Sequence, residues 1–215
     1  MSDEIVFYTN PMSRGQIARW MLEEVGQPYR TEILEYAASM KSPEYLAINP
    51  MGKVPAIVHR GKAITECAAI CAYLADAFPQ AGLAPALAER ADYYRWLFFA
   101  AGPVEAAVTN KSQGFEVAAD KKMMMGYGDF ADTINTLEKA VSGGGYVAGN
   151  TFTAADVYVG SQIGWGMQFG SIEKRPAFEA YFAKLETRPA YIKAKSIDNA
   201  LIAEAQATAG ETQSA

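Results

Sequence analysis

Histidine, cysteine and basic runs are what this sequence has least of. Its 215 residues include one histidine, His59, and two cysteines, Cys67 and Cys71. A single histidine excludes a His-rich metal site, and with it any histidine-dependent triad not built on His59 itself. Two thiols one helical turn apart make no disulfide framework and match no usual zinc spacing. No apolar stretch reaches the ~18 residues that a membrane span requires. The opening Met1-Ser2-Asp3-Glu4-Ile5-Val6 has neither a basic n-region nor a long apolar h-region, which predicts no secretory signal. Acidic residues outnumber basic ones 24 to 19, giving a formal charge of -5. A nucleic-acid binder normally carries a basic patch or stripe, and none is visible. These shortages predict a protein with no metal, no nucleic-acid partner and no membrane partner, resident in a reducing cytoplasm.

What the chain does have is ordinary globular material: 50% hydrophobic and 20% charged residues, long enough to bury a core without covalent staples. The first eighty residues alternate strand and helix signals. Ile5-Val6-Phe7-Tyr8-Thr9 is a β-prone run stopped by Asn10-Pro11. From Ser13 to Val25, the residues Ile17, Ala18, Met21, Leu22 and Val25 recur at helical spacing, and Gly26 fits the C′ position. Tyr29 to Leu34 reads as a second strand. A polar stretch with Ser39, Lys41, Ser42 and Pro43 follows, then a turn at Asn49-Pro50-Met51-Gly52. Val54 to Val58 reads as a third strand, turned by Gly61-Lys62 into a fourth at Ala63-Ile64-Thr65, and Cys67 to Phe78 as a helix. The order βαβ then ββα fits a small α/β sandwich.

After a break at Phe78-Pro79-Gln80-Ala81-Gly82, strand signals almost vanish. Amphipathic segments run over 84–108 (kinked or split near Gly102-Pro103), 120–141, 154–169, 177–187 and 190–207, and the polar tail 208–215 is expected to fray. The expected division is an α/β domain over 1–80 and an all-helical domain over 84–207.

Four local features point to chemistry. Val54-Pro55 opens a strand. A trans bond is the common case there; a cis bond would turn the Val54 backbone N–H and C=O outward, toward a peptide-like ligand. Thr65-Glu66-Cys67 marks a strand handing over to a helix. Either Thr65 caps that helix and Glu66 favours its dipole, or the helix N-terminus and Glu66 together hold a zwitterionic head group. Ser13, beside Arg14, is an N-cap or a hydroxyl donor aimed at an anion. Phe152-Thr153-Ala154-Ala155-Asp156-Val157 has capping-box spacing, with a Phe152–Val157 staple, and reads as the start of a core helix.

In this order and spacing, the Asn49-Pro50-Met51-Gly52-Lys53-Val54-Pro55 segment, the Thr65-Glu66-Cys67-Ala68-Ala69-Ile70 turn and the Phe152-Thr153-Ala154-Ala155-Asp156 box resemble the cytosolic glutathione transferases, serine-type bacterial members in particular. The resemblance spans Ile5 to about Tyr191. It implies a thioredoxin-like first domain and a helical second one. Val54-Pro55 would be the cis-proline pair bonding the cysteinyl backbone of glutathione, Glu66 and Cys67 would hold its γ-glutamyl end, and Lys53 would lie near the glycyl end. Cys67 departs from the family's usual Ser or Thr; a thiol is the weaker donor, and at a helix N-terminus it is either redox-reactive or a small quiet residue.

The resemblance leaves the thiol-activating group open among Ser13, Tyr8 and Asn10. Ser13 matches the serine type, whereas Phe7 occupies the more natural tyrosine position. A cysteine-type site is excluded, because no cysteine precedes residue 67. Glutathione is the implied co-substrate, and a small hydrophobic electrophile its partner, received between the domains; Met12, Trp96, Phe99, Trp165, Met167 and Phe169 are candidate walls, or simply helix core. Gly164, Gly166 and Gly170 suggest either close packing or ligand approach in that helix. Detoxifying conjugation is the implied activity. Peroxide reduction or isomerisation by the same thiolate, and a non-catalytic binding module, are the alternatives. A two-fold homodimer is implied, and the aromatic run Tyr93-Tyr94-Arg95-Trp96-Leu97-Phe98-Phe99 has surface to serve it.

Overall fold

In the computed structural model, residues 3–213 are described, with side chains through residue 208. The chain divides into two compact units. One holds residues up to Ala81 together with those from Arg188 onward; the other is Gly82–Thr187.

The first unit is built on a four-stranded sheet ordered β2-β1-β3-β4. Strands β1 (Ile5–Thr9) and β2 (Tyr29–Ile33) pair in parallel through the intervening helix α1 (Gly15–Val25). After a 3-10 turn at Ser39–Lys41 and the short helix α2 (Pro43–Leu46), strand β3 (Ala56–His59) pairs antiparallel with β1 and with β4 (Lys62–Thr65). Helix α3 (Cys67–Ala77) follows. Successive β1 side chains point to opposite sheet faces. Phe7 meets Tyr29 edge-on and lies beneath the Arg19 guanidinium of α1, while Tyr8 turns to the other face and packs on Tyr45. The periodic residues of α1 are buried as their spacing predicts, and Gly26 closes the helix at φ 70°, its N–H donating to Leu22 O. Ile5, Phe7, Ile17, Met21, Leu22, Ile57, Ile70 and Leu74 are all fully buried, each contributing about 1.5–3 kcal/mol of apolar transfer.

The sequence reading passed over α2 within its polar stretch. Ser42 caps that helix, accepting from Tyr45 N, and Pro43 sits at its first position.

The second unit is helical. Helix α4 (Ala91–Phe99) runs through a π-helical turn at Ala100–Val104 into α5 (Glu105–Ser112). The expected kink at Gly102-Pro103 is thus a widened turn, which absorbs a proline that has no N–H to donate. The expected helical segment from 84 starts instead at Ala91, after a 3-10 turn at Leu87–Glu89. The segment from 120 is likewise split, into a 3-10 turn at Ala119–Met124 and helix α6 (Phe130–Val141), whose N-cap is Asp129. Helix α7 (Ala154–Phe169) matches its expected span and is buried all round over its first eleven residues, as expected of a central helix. Helix α8 (Pro176–Glu186) completes the unit.

The Thr153–Asp156 capping box forms. Asp156 also reaches beyond its own helix: its carboxylate accepts from Thr153 N (2.9 Å), Thr153 Oγ1 (3.0 Å), Val147 N (2.8 Å) and Tyr181 Oη (2.7 Å). The glycines of α7 divide by role. A Cβ on Gly164 would overlap the Phe182 ring, and one on Gly166 would meet Ile172 Cβ at 2.7 Å, so both serve close packing.

Helix α9 (Pro189–Gln213) differs most from expectation. It runs on through residues expected to fray, of which 214 and 215 lie outside the described residues. It also packs within the first unit, so the compact units do not follow the 1–80 and 84–207 division. Asp198 of α9 pairs with Arg19 at 2.8 Å, with side chains 1% and 2% exposed. Lys193 pairs with Glu23, and Tyr191 meets Trp20 edge-on. Just before the helix, Arg188 pairs bidentately with Glu24.

Candidate active site

The chemistry-bearing residues of the first unit gather where β1 ends, β3 begins, and α1 and α3 start. The β1–α1 loop is a closed hydrogen-bonded turn. Asn10 Nδ2 donates to Leu34 O (2.9 Å), and Asn10 Oδ1 accepts from Met12 N (2.9 Å). The Asn10 carbonyl accepts from both Ser13 N (3.1 Å) and Ser13 Oγ (2.6 Å). Ser13 Oγ accepts in turn from Gly15 N (2.9 Å), so it satisfies an N–H of the first helical turn. Gly15 is required there, because a Cβ would overlap Thr9 Oγ1.

The next element is the approach to β3. Val54-Pro55 is a cis bond. The Lys53 carbonyl is clamped by Tyr45 Oη (2.6 Å) and Asn49 Nδ2 (2.7 Å). Burial pushes the Tyr45 phenol up to about 12, so it keeps its proton for this bond. Neither backbone group of Val54 has a hydrogen-bond partner among the described residues. Lys53 itself is exposed.

At the β4–α3 junction, Glu66 is an exposed N-cap residue at φ 64°, ψ 120°, with no side-chain capping bond. A non-glycine residue held at positive φ costs about 1–3 kcal/mol, and such residues cluster at functional sites. Ile70 N donates back to Glu66 O (2.8 Å), and the N–H groups of Ala68 and Ala69 have no acceptor among the described residues. Neither Thr65 nor Glu66 caps α3 with its side chain, and an uncapped helix start favours an anion. Cys67 is buried and its Sγ donates to the Arg14 carbonyl at 3.4 Å. That contact sets the first turn of α1 beside the first turn of α3. Cys71 is buried deeper, and burial pushes its thiol well above the usual range.

Of the three candidate activators, only Ser13 has its hydroxyl at the head of α1. Tyr8 belongs to the cluster of Met40, Tyr45 and Ala56 on the other sheet face, and Asn10 is committed to shaping the loop. Met12 is 70% exposed next to Ser13. In the second unit, Trp96 is buried and edge-on to Phe99, Trp165 and Met167 are half-buried, and Phe169 is 74% exposed. Among the described residues, no three His, Cys, Asp or Glu side chains group as metal ligands would. No described helix is long and apolar enough to cross a membrane.

The sequence reading missed the double clamp on Lys53 O. Asn49 was visible as a turn former, but nothing local marked Tyr45 as its companion.

A β2-β1-β3-β4 sheet with βαβ and ββα halves and a cis-proline at the head of β3 defines a thioredoxin-like domain, joined here to a helical unit. Residues 12–77 match the model of the glutathione S-transferase N-terminal domain. Glutathione S-transferase A of Pleuronectes platessa is 30% identical over 194 residues, 79% of this chain and 80% of that protein. Glutathione S-transferase GST-4.5 of Xanthomonas campestris is 28% identical, over 83% of this chain and 91% of that one. A sphingomonad glutathione S-transferase solved with glutathione superposes with a TM-score of 0.73 at 28% identity, over 90% of this chain and 98% of that one. The chain belongs to the glutathione S-transferase family, and is a transferase by that membership.

Proposed function

We propose that the first unit binds glutathione and that the enzyme transfers its thiolate to small hydrophobic electrophiles. The observation that carries this reading is the Cys67–Arg14 contact, which brings two helix starts together. Two unspent features, the open Val54 backbone and the uncapped start of α3 beside Glu66, accompany them, together with the Ser13 hydroxyl, whose donated bond to the Asn10 carbonyl is replaceable. Each suits a part of the tripeptide. The Val54 N–H and C=O pair with the cysteinyl backbone across Val54-Pro55. Glu66 takes the γ-glutamyl ammonium, and the N–H groups at the head of α3 take its carboxylate. Lys53 serves the glycyl carboxylate. Cys67, with its thiol donated to a backbone carbonyl, contributes main chain and packing.

The nucleophile must be a thiolate, yet an unperturbed thiol has a pKa of ~8.5 and is only a few per cent ionised at pH 7. Lowering that value by ~2 pH units takes ~2.7 kcal/mol of preferential anion stabilisation. The positive end of α1 and a hydroxyl donor supply interactions of that order. When Ser13 Oγ–H turns from the Asn10 carbonyl to a bound thiolate, the carbonyl keeps the Ser13 N–H as a partner. The donor therefore switches without orphaning its former acceptor, and Ser13 stays protonated throughout. Met12, Trp96, Phe99, Trp165 and Phe169 remain the candidate apolar residues for the electrophile. A cytoplasmic detoxification enzyme and a homodimer complete the proposal; both cysteines are free thiols, and Phe98 is 71% exposed on α4. A monomeric mass in solution removes the dimer.

The test is steady-state conjugation of an aryl halide by wild type and Ser13→Ala, with glutathione binding measured in parallel. The variant is expected to bind glutathione normally and lose ~10²-fold or more in kcat. An unchanged kcat and an unchanged bound-thiol pKa would reduce Ser13 to a cap.

A further inference from the structure

The loop that carries Ser13 is held by more than its own turn. Gln16, one turn into α1, donates its side-chain Nε2–H to the Pro11 carbonyl at 2.6 Å. Its Oε1 accepts from Lys195 Nζ of α9 at 3.0 Å. Lysine only donates and a carbonyl only accepts, so this is the one amide orientation in which both bonds form. The Pro11–Met12 peptide is then gripped at both ends, its C=O by Gln16 and its N–H by Asn10 Oδ1. Asn10 is anchored to Leu34 beyond β2, and Lys195 belongs to a helix fixed to α1 by the buried Arg19–Asp198 pair. Ser13, two residues before α1, therefore follows a peptide plane fixed from two distant parts of the unit.

We infer that Lys195 and Gln16 are positioning residues for thiol activation: a relay from α9 that sets the Pro11–Met12 peptide and, through it, the aim of the Ser13 hydroxyl. The inference rests on the reading of Ser13 as the thiolate donor. Small displacements of a donor matter because the charge-assisted bond it makes weakens steeply with distance and angle. The ammonium holds the amide oxygen, which leaves the amide nitrogen no choice but the loop.

The experiment compares Lys195→Met, Gln16→Glu, Lys195→Arg, Ser13→Ala and the Ser13→Ala/Lys195→Met double. The readout is the pH titration of the bound glutathione thiolate by ultraviolet difference absorbance, together with glutathione affinity. Gln16→Glu keeps an acceptor for Lys195 and so keeps α9 docked, but it has no amide donor for Pro11. Lys195→Met and Gln16→Glu are expected to raise the bound-thiol pKa by roughly half a pH unit, a fraction of the shift that loss of the whole hydroxyl in Ser13→Ala produces. Glutathione affinity should change less than about twofold, and Lys195→Arg should restore the wild-type titration. The double variant should titrate like Ser13→Ala alone, since the relay acts only through that hydroxyl. If Ser13→Ala shifts the titration and the relay variants do not, the inference fails and the proposed donor stands. If Ser13→Ala leaves it unmoved, the donor reading falls and the relay falls with it. Additive shifts in the double variant would make Lys195 a direct electrostatic effector and would also overturn the relay.

Discussion

Removing Asp198 alone should damage the protein far more than removing Asp198 and Arg19 together. Arg19 and Asp198 are 2% and 1% exposed at their side chains and meet at 2.8 Å. Arg19 Nη2 and Asp198 Oδ2 nevertheless have no hydrogen-bond partner among the described residues. Burial pushes the Asp198 carboxyl above its ordinary range even though Arg19 pulls it down, so desolvation outweighs the attraction. A pair in that condition contributes little net stability, but its halves are dangerous when separated. Asp198→Ala strands a buried guanidinium, whose remaining ties are long bonds to Tyr29 Oη (3.3 Å) and Thr31 Oγ1 (3.4 Å) and the Phe7 ring. That should cost ~3–5 kcal/mol. Arg19→Met/Asp198→Leu replaces both charges with apolar volume and should fall within about 1 kcal/mol of wild type, or above it. Tyr29 keeps its bond to Glu23 in that variant. Urea unfolding followed by circular dichroism of Arg19→Met, Asp198→Leu and the double variant, analysed as a double-mutant cycle, should give a coupling of ~3 kcal/mol or more. Additive losses, or a single variant costing under ~1 kcal/mol, would refute the argument that desolvation dominates this pair.

Two further outcomes follow from buried groups. His59 is fully buried, its Nδ1 2.9 Å from Tyr73 Oη and its ring stacked on Phe78, and burial lowers its pKa. The unfolded chain then binds the proton more readily, so this contribution is present above an unfolded pKa of ~6.5 and declines as pH falls through it, by at most ~1.4 kcal/mol per pH unit. Stability measured from pH 7 to 5 should show that slope in wild type, and an unchanged slope in His59→Gln would contradict the assignment. In α7, Gly166→Ala should destabilise by ~1–3 kcal/mol despite better helix propensity, because Ile172 is 2% exposed and stiff at Cβ. Gly164→Ala should cost less, since its overlap is with outer atoms of the half-buried Phe182 ring and not with a Cβ; thermal melts that rank the two the other way would remove this explanation.

Much of the fold was legible because its signals are local. Helix α1, its Gly26 cap and the Thr153–Asp156 start of α7 are each written within a few residues, and period and capping chemistry suffice to read them. Four-residue α2 is shorter than any periodicity, so only Ser42-Pro43 announced it. The helical pattern before α6 continued through Gly126 and Gly128, where φ at Gly128 is 69° and the chain turns before Asp129 caps the helix. At the site, Val54-Pro55, Glu66 and Ser13 stood out through residue type and neighbours. Ser13 already matched the serine type, with Tyr8 and Asn10 as fallback donors; what the sequence did not show is that Tyr8 packs against Tyr45 and that Asn10 is bonded to Leu34. Tyr45, Gln16 and Lys195 carried no mark at all. Their roles depend on partners reached through the fold, and Lys195 lies 179 positions from the amide it holds.

The return of α9 to the first unit also bears on the ribosome. Arg19 is synthesised 179 residues before Asp198. At typical elongation rates of ~5–20 residues per second, Arg19 waits roughly 10–35 s for its partner on the closing helix. The helical unit, Gly82–Thr187, is contiguous and emerges whole during that interval. The unit begun first is therefore the last to be finished, with Arg19, Glu23 and Glu24 lacking their ionic partners until Arg188 and α9 arrive. A chaperone or a protease that reads incomplete chains would meet this protein at its first-made end.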